Sequence, residues 1–357
     1  MNFRLFLLTI FMVSGAYLFY SCSTVKTAST SKKALVIYPS PPDTARIQYL
    51  TSFSSSLDFS TKQSKFNKSV FGEDKPKVIS KPFGIETHKG KLYICDIDVG
   101  GLEVIDFEKN SFDYFIPGGK GELKLPLNCF IDEDDFLYVA DGNRRQIVIF
   151  NAEREYVSAF GQEGDYKPTD VFVYDNKIWV TNIRNNKIDV YEKAPPNKLL
   201  YSFPDLGEGE EGALFQPTNI FINDNKVYVT DFGDFKIKKY THKGEYLSSV
   251  GSYGRNIGQF VRPKGIAVDR DSNLYVVDTG FENTQIFNEA GQLLMFFGGT
   301  YQGPGGMYLP AGIAIDYDDL NYFQKYVDSD YLLKYLIFIT NQYGPDKVSV
   351  YGAIELK

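Results

Sequence analysis

The chain runs to 357 residues, of which 43% are hydrophobic and 23% charged, so it can bury a sizeable core and is not a disordered polyelectrolyte. Its formal net charge is −7 and its Lys and Arg are scattered without a recurring basic patch, which argues against a nucleic-acid partner. Tyr (26) and Phe (29) far outnumber the single Trp, and with the recurring Val and Ile they suit pleated strands, so an all-β reading leads.

Residues 1–22 read MNFRLFLLTIFMVSGAYLFYSC: one early Arg4, an apolar run over 5–20, then a small residue before Cys22. This is the layout of a secretory leader. The ending Phe19-Tyr20-Ser21-Cys22 resembles a loose lipobox, in which the cysteine becomes a lipidated N-terminus. The alternative is an uncleaved membrane anchor, which needs roughly 20 apolar residues and more than this run supplies. The next stretch, STVKTASTSKKALVIYPSPPD, is polar, Pro-rich and without sustained period. It reads as a flexible tether. The expected division is a lipoprotein signal peptide over 1–21, lipidated Cys22 and tether over 22–43, and one folded domain over 44–357. Ser23 and Thr24 follow the cysteine without an acidic run resembling a surface-export signal. The expected location is therefore a lipid anchor in the cell envelope, at an outer membrane and facing the periplasm.

Beyond the tether the chain repeats. A proline opens a short apolar strand in KPFGIETH, LPLNCFID, KPTDVFVY, QPTNIFIN, RPKGIAVD and LPAGIAID, recurring roughly every 45 residues. Each is followed by a second strand closing on Asp96, Asp141, Asn182, Asp231, Asp278 or Asn341, then a third strand and usually a fourth. Four short strands per unit, with polar turns and no long helical period, describe a propeller blade. Residues 258–298, GQFVRPKGIAVDRDSNLYVVDTGFENTQIFNEAGQLLMFFG, resemble an NHL repeat nearly throughout; units two and four match it well, and units one, three and six more loosely. The resemblance implies a six-bladed β-propeller of four-stranded antiparallel blades. The last unit, KVSVYGAIELK, runs out after its third strand, while residues 46–53, RIQYLTSF, resemble an orphan fourth strand. That N-terminal strand is expected to complete blade six beside residues 347–354, hiding two sheet edges. Residues 317–335 replace a tight turn in blade six and are expected to form a short helix whose Tyr and Phe cover the rim.

Several motifs reduce to structure. Gly207, Gly209 and Gly212 satisfy GxGxxG, but three glutamates and a following strand oppose phosphate binding. Asp269, Asp271 and Asn273, like Asp132 and Asp134, lack the Gly and Glu of a calcium loop and read as hairpin turns. The Asp or Asn ending each second strand reads as turn chemistry. Cys95 and Cys129 lie in predicted strands without CxxC spacing and are expected to be buried free thiols, a disulfide being the alternative. With only His88 and His242, neither a three-His zinc site nor a Ser-His-Asp set can be built.

The second residue after each opening proline is Gly84, Asn128, Asp170, Asn219, Gly265 or Gly312. On a propeller these surround the central channel, bringing Asn128, Asp170 and Asn219 together. The set resembles, distantly, the calcium sites of paraoxonase- and gluconolactonase-like propellers, with Glu86 as the inner-strand acid. Hard cations take such oxygen ligands, and a water-filled polar lining is the alternative. Arg144, Arg145, Arg184 and Lys187 follow second strands and form either a grip for an acidic group or solvated turn residues. The first expectation is a non-catalytic envelope propeller, monomeric, without cofactor and membrane-attached through its lipid, that recognises a protein or glycan. The second is a calcium-dependent hydrolase or lyase working at the channel.

Overall fold

Proline has no backbone N–H, so it is tolerated at the first residue of a strand that lacks a partner on one edge. In this protein that edge faces the axis of a ring. The computed structural model describes residues 35–59, 75–161, 166–223 and 226–357 and gathers 36–357 into one unit. Residues 1–21, read above as a leader, and Cys22 lie outside the described residues.

Blades 1 to 5 are four-stranded antiparallel sheets whose inner strands open at Pro82, Pro126, Pro168, Pro217 and Pro263 and whose outer strands end at Phe115, Phe160, Phe203, Val250 and Gly298. Blade 6 combines Pro310–Asp316, Tyr331–Asn341 and Val348–Leu356 with the N-terminal strand Ile47–Phe53. Its register runs from Ile47 opposite Ala353 to Phe53 opposite Val348, as the orphan-strand reading expects. One element was not foreseen: Ile37–Tyr38 adds a fifth strand against Ile47 and Gln48. The folded unit therefore reaches into the segment read as tether, whose only apolar cluster, LVIY, supplies that strand.

Inner strands begin and second strands end at one face, which we call the entrance face. The second-to-third-strand turns and the connections between blades lie on it. Asp or Asn at the end of each second strand organises this face. Asp96 accepts the N–H groups of Ser80 and Lys81 on one oxygen and those of Asp98 and Val99 on the other. Asp141 accepts Lys124 N–H on one oxygen and those of Leu125, Asn143 and Arg144 on the other, and Asp278 accepts Val261 N–H on one and those of Arg262, Gly280 and Phe281 on the other. The turn chemistry expected of these residues is present. The same carboxylate also ties the incoming connection to the turn, satisfying buried N–H groups that would otherwise be costly.

The second and third strands are apolar on both sides because each sheet is covered by a blade on either side. Six clusters result, one per junction, among them Val139 and Phe150 against Tyr93 and Leu102 between blades 1 and 2, and Leu50, Val350 and Phe338 against Leu92 and Ile105 between blades 6 and 1. The blade 6 insert forms the short helix Leu320–Phe323 and a following 3-10 turn. Phe323 packs edge-on against Phe107 and Phe338, as expected of a rim-covering element. Tyr317 departs from that role and lines the far end of the channel.

Leu50 lies on the closing strand and is 3% exposed. Leu50→Ala should cost about 2–5 kcal/mol, the range for large-to-small changes in a packed core. Denaturant unfolding checks this, and a loss below about 1 kcal/mol would mean that the N-terminal strand contributes little to closure.

Candidate functional site at the central channel

The inner strands carry an irregularity just after the opening proline. Pairing resumes at Asn128, Asp170 and Asn219 in blades 2, 3 and 4, but only at Ile85, Ile266 and Ile313 in the blades with Gly84, Gly265 and Gly312. A bulge re-aims the side chain beside it. Here it turns the three polar residues into a channel of about 270 Å³ that Glu86, Asn128, Asp170, Asn219, Gly265 and Gly312 all line. The glycines are required by closeness: a Cβ on Gly84 would stand 2.1 Å from Asn128 Oδ1, and one on Gly312 would stand 2.5 Å from the Phe83 carbonyl.

Asp170 is held firmly. Its Oδ1 accepts Val171 N–H at 2.8 Å, and its Oδ2 accepts Ile220 N–H at 3.0 Å and Asn219 Nδ2 at 3.4 Å. Asn128 donates Nδ2 to the Thr169 carbonyl at 3.0 Å. The two carboxamides thus spend their nitrogens on the protein, leaving carbonyl oxygens for the channel. Burial pushes Asp170 up to about 7 despite those donors. Glu86 shares a layer with Phe130 and Phe172, whose rings approach to 4.4 Å, and with Phe221. Burial, and then the charge of Asp170, push Glu86 up to about 8. Two carboxyls in one apolar-walled passage resist double ionisation near neutrality.

The set suits a hard cation in chemistry, since two carboxyls and two carboxamide oxygens are calcium-type donors. Among the described residues no three His, Cys, Asp or Glu side chains converge as a metal-binding group, so such an ion would lean on Asn128 and Asn219 and on water.

The arginines separate. Arg144 turns away, giving Nη1 to the Lys120 and Glu122 carbonyls and Nε and Nη2 to Gln146, and so braces a connection. Arg145 and Arg184 instead meet Lys167 in an entrance-face groove of about 570 Å³ that also includes Tyr166 and Phe215. Lys187 pairs with Asp205 at 3.3 Å. The histidines sit on the opposite face, His88 against Asp135 at 2.6 Å and His242 against the Asn223 carbonyl at 3.0 Å, away from the channel ring. Asp132 and Asp269 accept turn N–H groups, as hairpin residues should. Cys95 and Cys129 are free and buried, in contact across the junction of blades 1 and 2.

Three features escaped the sequence reading. Glu103 is fully buried beside Asp96, and burial with that charge pushes it up to about 10. Lys264, in RPKGIAVD, occupies a place where the other blades have Phe83, Leu127, Thr169, Thr218 and Ala311. The third is an asymmetry of exposed apolar groups. Ile116, Phe215, Tyr253, Ile257, Tyr301 and Tyr343 stand exposed on entrance-face loops, whereas among the described residues the opposite face exposes Tyr326 in the blade 6 insert and Tyr156, Leu332 and Leu356 at strand ends. The opposite face is instead acidic, with Glu133, Asp134, Asp135, Asp175, Asp271 and Asp318 in its turns.

Glu86 keeps its proton to higher pH folded than unfolded, so its contribution to stability is present below the ordinary carboxylate range and fades as pH rises to about 8. Glu86→Gln should match the wild type in acid and become progressively more stable through that window, measured by denaturant unfolding at each pH. A pH-independent difference would contradict the assignment.

No known protein-family profile matches the chain, and no curated protein matches it in sequence. Solved structures do match. Virginiamycin B lyase from Staphylococcus aureus, solved with quinupristin, superposes with a TM-score of 0.52 at 16% identity, over 76% of this chain and 81% of that one. A gluconolactonase from Xanthomonas campestris gives 0.55 at 16% over 87% and 90%. A protein of unknown function from Bacteroides thetaiotaomicron gives 0.55 at 16% over 78% and 70%. At such identity the likeness is one of fold, and the fold these chains share is the six-bladed β-propeller.

Proposed function

We propose that this protein is a recognition propeller of the cell envelope, built from NHL-like repeats and held to a membrane through lipidated Cys22, which presents its entrance face to a protein or glycan partner. The observation that carries the reading is the set of exposed apolar side chains on that one face together with its basic groove. Exposed Tyr, Phe and Ile stand on the same face as a groove containing Arg145, Lys167 and Arg184, which Phe215 lines, on a protein of net charge −7. Aromatic side chains with Arg are the composition of binding surfaces, and large apolar side chains gathered on one face mark a contact site. An acidic partner surface fits the groove, and Arg forks favour carboxylates.

A photo-crosslinking residue placed at Phe215 or Tyr253 in living cells should give a reproducible adduct with an envelope component, while one at Tyr326 should not. Equal labelling from both faces, or none from Phe215 and Tyr253, would contradict the reading. Arg184→Glu should weaken the adduct.

A second reading is a calcium-dependent hydrolase or lyase, favoured by the convergence of Glu86, Asn128, Asp170 and Asn219 on one passage. A cation would relieve the repulsion between Glu86 and Asp170, and would supply Lewis-acid polarisation of a bound carbonyl. Calorimetry with calcium should then show binding that Asp170→Ala abolishes, together with stabilisation of the wild type on heating. Absence of both removes this reading.

A further inference from the structure

The entrance face holds a second basic cluster on the side of the channel away from the groove. Lys81 precedes the inner strand of blade 1, and Arg262 and Lys264 flank the opening proline of blade 5. Lys264 reaches over the start of blade 6, with its ammonium 4.6 Å from the centre of the Phe83 ring in blade 1. That reach is possible because the three inner strands crowd together there: a Cβ on Gly265 would stand 2.6 Å from the Ala311 carbonyl, and one on Gly312 2.5 Å from that of Phe83.

Lys264 is largely enclosed, yet its charged neighbours are Arg262 and Lys81, both of the same sign. Among the described residues no carboxylate reaches ion-pair distance of any of the three. The contrast with Lys238 is direct, since that buried ammonium is held by Asp231 and Asp234 at 2.8 Å each. Burying a cation without a counter-charge is costly, and a cation–π contact recovers only a small part of that cost. The penalty is visible in Lys264 itself, which burial and then the charges of Arg262 and Lys81 bring down to about 8. A bound anion would remove it.

We propose that Lys81, Arg262 and Lys264 form a binding site for a small anion at the channel mouth, taking the carboxylate or phosphate group of a low-molecular-weight ligand. Arg262 supplies the planar fork, Lys81 and Lys264 supply point charges, and Phe83 forms the apolar floor. The site stands apart from the partner-binding groove, because it belongs to blades 5 and 1 and its ligand is a small ion.

Calorimetry of the full chain with inorganic phosphate, and separately with succinate, tests it. Binding of at least one at neutral pH is expected, weakening as pH rises past about 8 and Lys264 loses its charge. Lys264→Met should lower affinity roughly tenfold or more, the scale of a lost charge-assisted hydrogen bond. Lys167→Met, in the groove across the mouth, should leave it unchanged. Vesicles of phosphatidylglycerol in phosphatidylcholine separate a lipid headgroup from a free ligand. Capture by vesicles without heat from phosphate or succinate would overturn the proposal, as would small-anion binding that Lys167→Met abolishes and Lys264→Met does not. Failure of the crosslinking experiment leaves this result unaffected, so the two readings fail separately.

Discussion

The structure depends on one constraint: each blade is apolar on both faces, so no blade is satisfied until it has a neighbour on each side. Five junctions follow from chain order, and the sixth must be made by bringing the ends together. The N-terminal strand Ile47–Phe53 does this by pairing with Val348–Leu356, which places Leu50 and Phe53 in the cluster joining blade 6 to blade 1. Ile37–Tyr38 then covers the new outer edge, where Tyr38 packs near Tyr351 and Phe297. A sheet edge that would otherwise invite pairing with another chain is covered.

Closure also creates the channel. Six inner strands converge, and what stands two residues after each proline decides whether the ring is filled by backbone or by side chains. On the blade 5, 6 and 1 side, glycines let strands approach and leave backbone rather than side chains at that level of the axis. On the blade 2, 3 and 4 side, Asn128, Asp170 and Asn219 fill the space, Asn219 bonding to Asp170, and Asn128 and Asp170 to the adjacent backbone. The polar site and the closely packed wall are thus two halves of one geometric solution. The wall is what lets Lys264 cross from blade 5 to Phe83.

Most of the fold was legible in sequence because it depends on short, repeated signals: the opening proline, alternating apolar residues, and an Asp or Asn closing the second strand. The convergence of Asn128, Asp170 and Asn219 followed from their place after the opening proline once the repeat was aligned, whereas Glu86 entered through the resemblance to calcium-centred propellers. Other features depend on what lies across a junction, which one repeat does not contain. Arg144 and Arg145 are neighbours in sequence, yet one braces the Lys120–Glu122 connection and the other lines a groove formed with blade 3. Glu103 reads as an ordinary strand acid until its position beside Asp96 is seen. Ile37–Tyr38 was hidden because two residues in a polar stretch carry no period.

The two faces differ in character, with exposed aromatics and a basic groove around the entrance and acidic turns around the exit. Hydrogen exchange of the protein, alone and reconstituted with a solubilised envelope fraction, tests this most directly. The account predicts added protection in the entrance-face connections over residues 116–125, 204–216 and 251–262, with the turns over 132–136 and 269–273 unchanged. Protection confined to those opposite-face turns would contradict it.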